Sequence, residues 1–148
     1  RRWHLCNHHA TNRMIIADEA AMLRFGEQLA GELQPGEIIA IDGTLGAGKT
    51  VLCRGILRGL GFTAEVSSPS YAIVHEYRPP DVSLPVMHID LYRIESASEL
   101  AELGLDDGFG DAILLIEWAG RFADFPSRAT RHVAISIGED GGRAIAIS

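Results

Sequence analysis

The sequence predicts a single α/β domain, three layers deep around a mainly parallel sheet, and three observations carry that expectation. Its 148 residues, 47% hydrophobic and 22% charged, suffice for one core and leave little room for a second. Two short apolar runs, Glu37 to Asp42 and Ile113 to Glu117, suit strands buried on both faces, and they are spaced among stretches of helical periodicity. A glycine-rich octet, Gly43 to Thr50, joins the first of these runs to a helical pattern. The same composition excludes a disordered chain and a disulfide-stapled miniprotein. The longest convincing apolar run, Ile113 to Ile116, ends at Glu117, far short of the roughly 18 residues of a membrane helix.

The elements follow in order. Arg1 to Arg13 gather three arginines and three histidines around Trp3 without periodicity, and are expected to be a disordered extension, with Met14 as the native start. They lack the apolar stretch of a signal peptide. His4, His8 and His9 suit a metal, or a tail with no role. The domain is expected over residues 14–148. Asp18 suits an N-cap, with Met22, Phe25, Leu29 and Leu33 on one helical face before Pro35-Gly36 stops it. Glu37 to Asp42 is the first buried strand, and Val51 to Leu60 a helix closed by Gly61. Ala72 to Arg78 and Val86 to Asp90 read as strands. Ser96 to Glu99 resembles a capping box opening a short helix through Leu103 that ends at Gly104. Ile113 to Glu117 is a buried strand. Arg131 to Ile137 and Arg143 to Ser148 form an antiparallel hairpin around Glu139 to Gly142.

Charge narrows the function. Twenty acidic against thirteen basic residues give −7, so broad electrostatic capture of nucleic acid is not expected, though a local arginine cluster stays open. An RNA substrate would be held by a partner. Cys6 and Cys53 are too few for a cysteine metal cage and nothing pairs them, which fits a reducing cytoplasm.

The octet Gly43-Thr44-Leu45-Gly46-Ala47-Gly48-Lys49-Thr50 matches Gly-x4-Gly-Lys-Ser/Thr in the strand–loop–helix context that motif needs. Its glycines let successive N–H groups converge on phosphate oxygens at the positive end of the next helix. Lys49 would reach the β- and γ-phosphates and the Thr50 hydroxyl would ligate Mg²⁺. Twelve of the thirteen cations are arginine, so a lone lysine here is pointed, because a guanidinium fork does not replace an ammonium sterically. A metal-side acid at a strand end is also needed, and Glu117 is preferred, with Asp90 nearer the γ-phosphate or the attacking water. Taken alone, either acid could equally be a solvated strand end, but the phosphate loop upstream favours the functional reading. Ser70, in Ser67 to Tyr71, is a γ-phosphate switch residue or simple turn chemistry. Guanine specificity through Asn-Lys-x-Asp is excluded, because the sole lysine is in the loop. A small-molecule kinase with Arg54, Arg58 or Arg121 on a lid, and a slow nucleotide-dependent binding switch, stay as rivals.

Beyond the octet, Ser68 to Tyr71, His88 to Arg93, Glu99 to Gly104 and Ile116 to Trp118 follow in order, and together they resemble the bacterial TsaE proteins. The resemblance runs in outline over residues 14–148, the last thirty matching only as strand pattern. It implies a phosphate-loop ATPase required for threonylcarbamoyl modification of the adenosine beside the anticodon in certain tRNAs. That ATPase would act on a complex of TsaB and TsaD, which it energises or resets by hydrolysing ATP, and would meet tRNA only through those partners. Residue by residue it implies phosphate and Mg²⁺ binding by Lys49 and Thr50, a metal site completed by Glu117, and a catalytic-site acid at Asp90. Trp118 follows as an aromatic near the nucleotide or partner, although a core tryptophan is an equal physical reading. Glu19 matches a region near the adenine. Ser70 stands where the family usually has threonine, keeping the hydroxyl and losing a methyl.

Overall fold

The computed structural model describes residues 12–44, 46–66, 74–103, 110–121 and 129–148. Leu45, Ser70 and the Gly104 helix stop therefore lie outside the described residues. The strands are β1 (Asn12–Ile16), β2 (Ile38–Gly43), β3 (Val74–Tyr77), β4 (Val86–Asp90), β5 (Ile113–Glu117), β6 (Arg131–Ile137) and β7 (Arg143–Ile147). The helices are α1 (Glu19–Ala30), α2 (Lys49–Gly59) and α3 (Ala97–Glu102). One seven-stranded sheet runs in the order β1-β7-β6-β2-β5-β4-β3. Its centre, β6-β2-β5-β4, is parallel; β3 joins β4, β7 joins β6 and β1 joins β7 by antiparallel pairing, so β1 runs with the centre and the sheet is mixed but mainly parallel. The expected C-terminal hairpin is β6–β7.

Side-chain alternation along the central strands builds both outer layers. Ile39, Ile41, Ile113, Leu115, Val86 and Val133 pack with α1 and α2 in one core. Ala40, Leu114, Ile116 and Ile89 point the other way, against Leu91, Ile94 and the α3 leucine Leu100. Every residue of β5 is buried, as its unbroken apolar run predicts.

Asp18 caps α1, its carboxylate accepting the Ala21 N–H at 2.8 Å. The helix ends at Ala30, short of the expected Leu33, because Gly31, Glu32 and Leu33 bond carbonyls three residues back and tighten the chain into a turn. Leu33 keeps its core position at 4% exposure. Ser96 caps α3 by accepting from Glu99 N at 3.2 Å, while Glu99 reaches back to Glu95 N. Asn12 and Arg13, expected in the N-terminal extension, instead belong to β1 and pair with Ile147 and Ala146, while the rest of that segment, with His4, Cys6, His8 and His9, lies outside the described residues. That edge strand exposes Arg13 and Ile15 beside buried Ile16, too brief an alternation to be legible.

Helices α1 and α2 meet backbone to backbone. A Cβ on Gly55 would stand 2.5 Å from the Leu23 carbonyl oxygen, and one on Gly26 would stand 2.7 Å from that of Leu52. Gly55→Ala should therefore cost about 1–3 kcal/mol by overpacking, read as a lower urea midpoint at unchanged slope.

Candidate functional site

Parallel register brings the C-terminal ends of three strands to one place, with Glu117 opposite both Ile41 of β2 and Asp90 of β4. Sheets of this kind bind ligands outside such strand ends. Residues Gly43 to Thr50 leave β2 here and enter α2. Gly46 and Gly48 hold φ of +79° and +111°, the left-handed conformation that favours glycine. Gly43 is needed for a different reason, since a Cβ there would stand 2.8 Å from the Ile135 carbonyl oxygen. Helix α2 has no side-chain N-cap, which leaves its positive end for an anion.

The loop is anchored at its root and over its crest. Asp42 accepts the Gly120 N–H at 2.9 Å and meets His132 Nε2 at 2.9 Å. Arg143, from the start of β7, donates to the carbonyls of Ala47 at 2.9 Å and Gly46 at 3.2 Å.

Lys49 is 5% exposed, and its Nζ donates to the carbonyls of Gly43 at 2.7 Å and Thr44 at 2.9 Å. The same ammonium lies 4.0 Å from the centroid of the Trp118 ring, within cation–π range. Burial pulls the Lys49 pKa down, while Glu117, Asp90 and Asp42 oppose the fall. Trp118 holds φ of +62°, rare for so large a side chain, with its N–H bonded to Ile41 O at 3.0 Å and its ring 5.0 Å from that of Tyr92. Trp118 thus combines both readings left open for it, packing against the second core and facing the Lys49 ammonium.

Glu117 is 2% exposed. One carboxylate oxygen, Oε1, accepts from the Thr50 hydroxyl at 3.4 Å, and the other, Oε2, lies 2.5 Å from His88 Nε2. Asp90 is half-buried and accepts the Tyr92 N–H at 2.9 Å; burial lifts its pKa above the ordinary value, and that N–H holds it down in part. Lys49, Thr50, Asp90, Glu117 and Trp118 line one cleft of about 270 Å³ with Gly46 and Gly48. A second cleft of about 250 Å³ shares those glycines and Val51, and is further lined by Glu19, Met22, Ala47 and Arg143. Glu19 thus stands in the neighbouring cleft, its carboxylate 3.4 Å from Arg54. Thr44 is placed at the loop's root by its bond from Lys49.

Arg143 and His88 are site residues that sequence reasoning did not single out. The buried Cys53 lies behind the cleft with its thiol pKa pushed well up by burial. It should therefore resist iodoacetamide in the native protein and be alkylated only under denaturant, as peptide mapping would read.

The family model for "Threonylcarbamoyl adenosine biosynthesis protein TsaE" matches residues 16–145, which span every element from the end of β1 to β7. The chain belongs to the TsaE family. Relatives named "tRNA threonylcarbamoyladenosine biosynthesis protein TsaE" include that of Haemophilus influenzae, 42% identical over 70% of this chain and 68% of the relative. The Synechocystis relative is 40% identical over 77% of this chain and 74% of its own length. The Bacillus subtilis relative is 46% identical over 58% of this chain, and the match spans about half of it, 52%. Among solved structures, Bacillus subtilis YdiB superposes with a TM-score of 0.73 at 26% identity, over 93% of this chain and 84% of that one. TsaE membership agrees with the ordered motifs, from the glycine octet through His88 to Arg93 to Ile116 to Trp118. Among the described residues no helix is long and apolar enough to cross a membrane.

Proposed function

We propose that this TsaE-family chain binds Mg²⁺ and ATP and hydrolyses the γ-phosphate, serving tRNA threonylcarbamoyladenosine modification through a TsaB–TsaD complex in the cytoplasm. The observation that carries the reading is the convergence of Lys49, Thr50, Asp90 and Glu117 in one cleft beneath the glycine loop. Thr50 Oγ1 and Glu117 Oε1, 3.4 Å apart, form an all-oxygen donor pair of the kind a hard cation takes, so the residues fit Mg²⁺. When bound, Mg²⁺ supplies charge neutralisation between the β- and γ-phosphates.

The chain's own groups account for the rest. The bare N-terminus of α2 and the loop amides bind phosphate oxygens. Lys49 exchanges its two loop carbonyls for the phosphates, leaving the Trp118 face as it moves. Asp90, in the same cleft while Glu117 faces Thr50, is the acid that orients the attacking water for in-line displacement. The cleft containing Glu19 and Arg143 flanks the loop and would take the nucleoside. Arg54 is engaged by Glu19 and Arg58 is exposed near the end of α2, while the Arg121 side chain lies outside the described residues, so no described arginine of the three supports the lid of the kinase reading.

The test is phosphate release from Mg·ATP by the chain alone and with its cognate TsaB–TsaD pair. Turnover stimulated by the pair is expected. Phosphate passed to a small acceptor would install the kinase instead, and tight nucleotide binding without turnover in either condition would install the binding switch.

A further inference from the structure

Glu117 reaches the cleft from a wholly buried strand, yet a carboxylate turns freely about its last bond unless something holds it. The only partner of its Oε2 atom among the described residues is His88 Nε2 at 2.5 Å. Both side chains are almost sealed from water, at 0% and 3% exposure, so no solvent competes for that bond. His88 lies on β4 two residues before Asp90, itself opposite Glu117, so one strand supplies both the cleft acid and the group beneath its neighbour. A carboxylate can only accept, which puts the shared proton on Nε2. His88 Nδ1 is buried with no hydrogen-bond partner among the described residues, as suits a bare lone pair and not an N–H, whose desolvation would cost more.

We infer that His88 is a positioning residue: by donating Nε2–H to Oε2 it fixes the Glu117 carboxylate with Oε1 turned to Thr50, where the cation would be held. This rests on the reading of the cleft as an Mg²⁺-nucleotide site. A histidine that orients a metal-binding carboxylate typically contributes about 10–100-fold to metal affinity. A competing use of the same atoms exists, because Cys53, His88 and Glu117 bring one ligand atom each within 4.8 Å of one another, a set suited to a thiophilic cation. The deep burial of the Cys53 thiol opposes its ionisation, and the short His88–Glu117 bond already fills the space between two of the three.

The experiment measures Mn²⁺ binding in the presence of ADP, by the electron paramagnetic resonance signal of free Mn²⁺, for wild type, His88→Leu, His88→Asn and His88→Gln. Binding of a fluorescent ADP analogue in EDTA is measured in parallel. Leucine removes the donor and asparagine is too short to reach Oε2, so both should raise the Mn²⁺ dissociation constant about 10–100-fold while leaving metal-free nucleotide binding unchanged. Glutamine, whose amide can occupy the Nε2 position, should restore most of the loss. The asparagine variant carries the test should leucine not fold. The inference is overturned if Leu and Asn bind Mn²⁺ like wild type, if Gln is no better than they are, or if metal-free nucleotide binding falls equally. It is overturned as well by a thiolate-to-Co²⁺ absorption band in wild type that Cys53→Ser removes, since His88 would then be a metal ligand. Wild type that binds no nucleotide under any condition sinks the reading of the cleft, an outcome distinct from all of these.

Discussion

Lys49→Ala is expected to reduce partner-stimulated ATP turnover by about 10²–10³-fold, the scale for removing one preorganised group from a developing anion. The size follows from where the ammonium sits. It is 5% exposed at the floor of the cleft, held by two loop carbonyls and faced by Trp118, and alanine leaves no cation there to neutralise the phosphates. Low polarity strengthens its attraction for phosphate as it strengthens any charge interaction. Lys49→Arg should not restore turnover, because a planar guanidinium needs room that the Gly43 and Thr44 carbonyls and the indole ring already occupy. The substitution has a second effect with a definite sign. Lys49 is among the influences that hold the Asp90 pKa down, so its loss should lift that value further, and whatever turnover remains should fall away at a higher pH than in wild type. Single-turnover hydrolysis at saturating partner concentration, followed across pH, reads both effects. Near-normal turnover by Lys49→Ala would remove the loop from the chemistry.

What the sequence disclosed depended on how locally each feature is encoded. The octet carries its own chemistry within eight consecutive residues, and Glu117 announces itself as one charge after four apolar residues. The capping serines and aspartates are equally local, and Asp18 and Ser96 cap the helices as read. Strand β1 was missed because its five residues sit at the edge, where Ile16 alone among residues 13–16 is buried and pairing with β7 supplies the order. Arg143 was missed because its bond to Ala47 spans 96 positions, a closure no periodicity records. His88 stood in view within the His88 to Arg93 segment, and a lone imidazole at an inward position of a buried strand was the available signal. Its role became definite only when parallel register set it beneath Glu117. The antiparallel hairpin was legible from Arg131 to Ile137 and Arg143 to Ser148, but the direction of β3 was hidden, because an edge strand reads the same whichever way it runs.

Glu117→Gln and Asp90→Asn are expected to fail in different ways, and the contrast assigns the two acids. Glutamine at 117 keeps an oxygen for His88 but loses the charge facing Thr50. It should raise the Mg²⁺ concentration for half-maximal turnover about 10–100-fold, the worth of one charge-assisted contact, with much of the rate recovered at high Mg²⁺. Asparagine at 90 leaves the Thr50–Glu117 pair intact and should lower turnover about 10²-fold or more at every Mg²⁺ concentration, since what is lost is the acid that orients water. Stability separates them again. A carboxyl whose pKa is raised by folding holds its proton more tightly in the native state, so native stability falls as pH rises through that value. Asp90→Asn removes this burden and should be at least as stable as wild type at neutral pH, whereas Glu117→Ala, stripping His88 Nε2 of its only partner among the described residues, should lose about 1–3 kcal/mol. In wild type the rate, needing ionised Asp90, should decline on acidification through a value above that of an ordinary aspartate. Urea midpoints and Mg²⁺ titrations of turnover on the same preparations decide the matter. An Mg²⁺ shift appearing in Asp90→Asn and not in Glu117→Gln would exchange the two assignments.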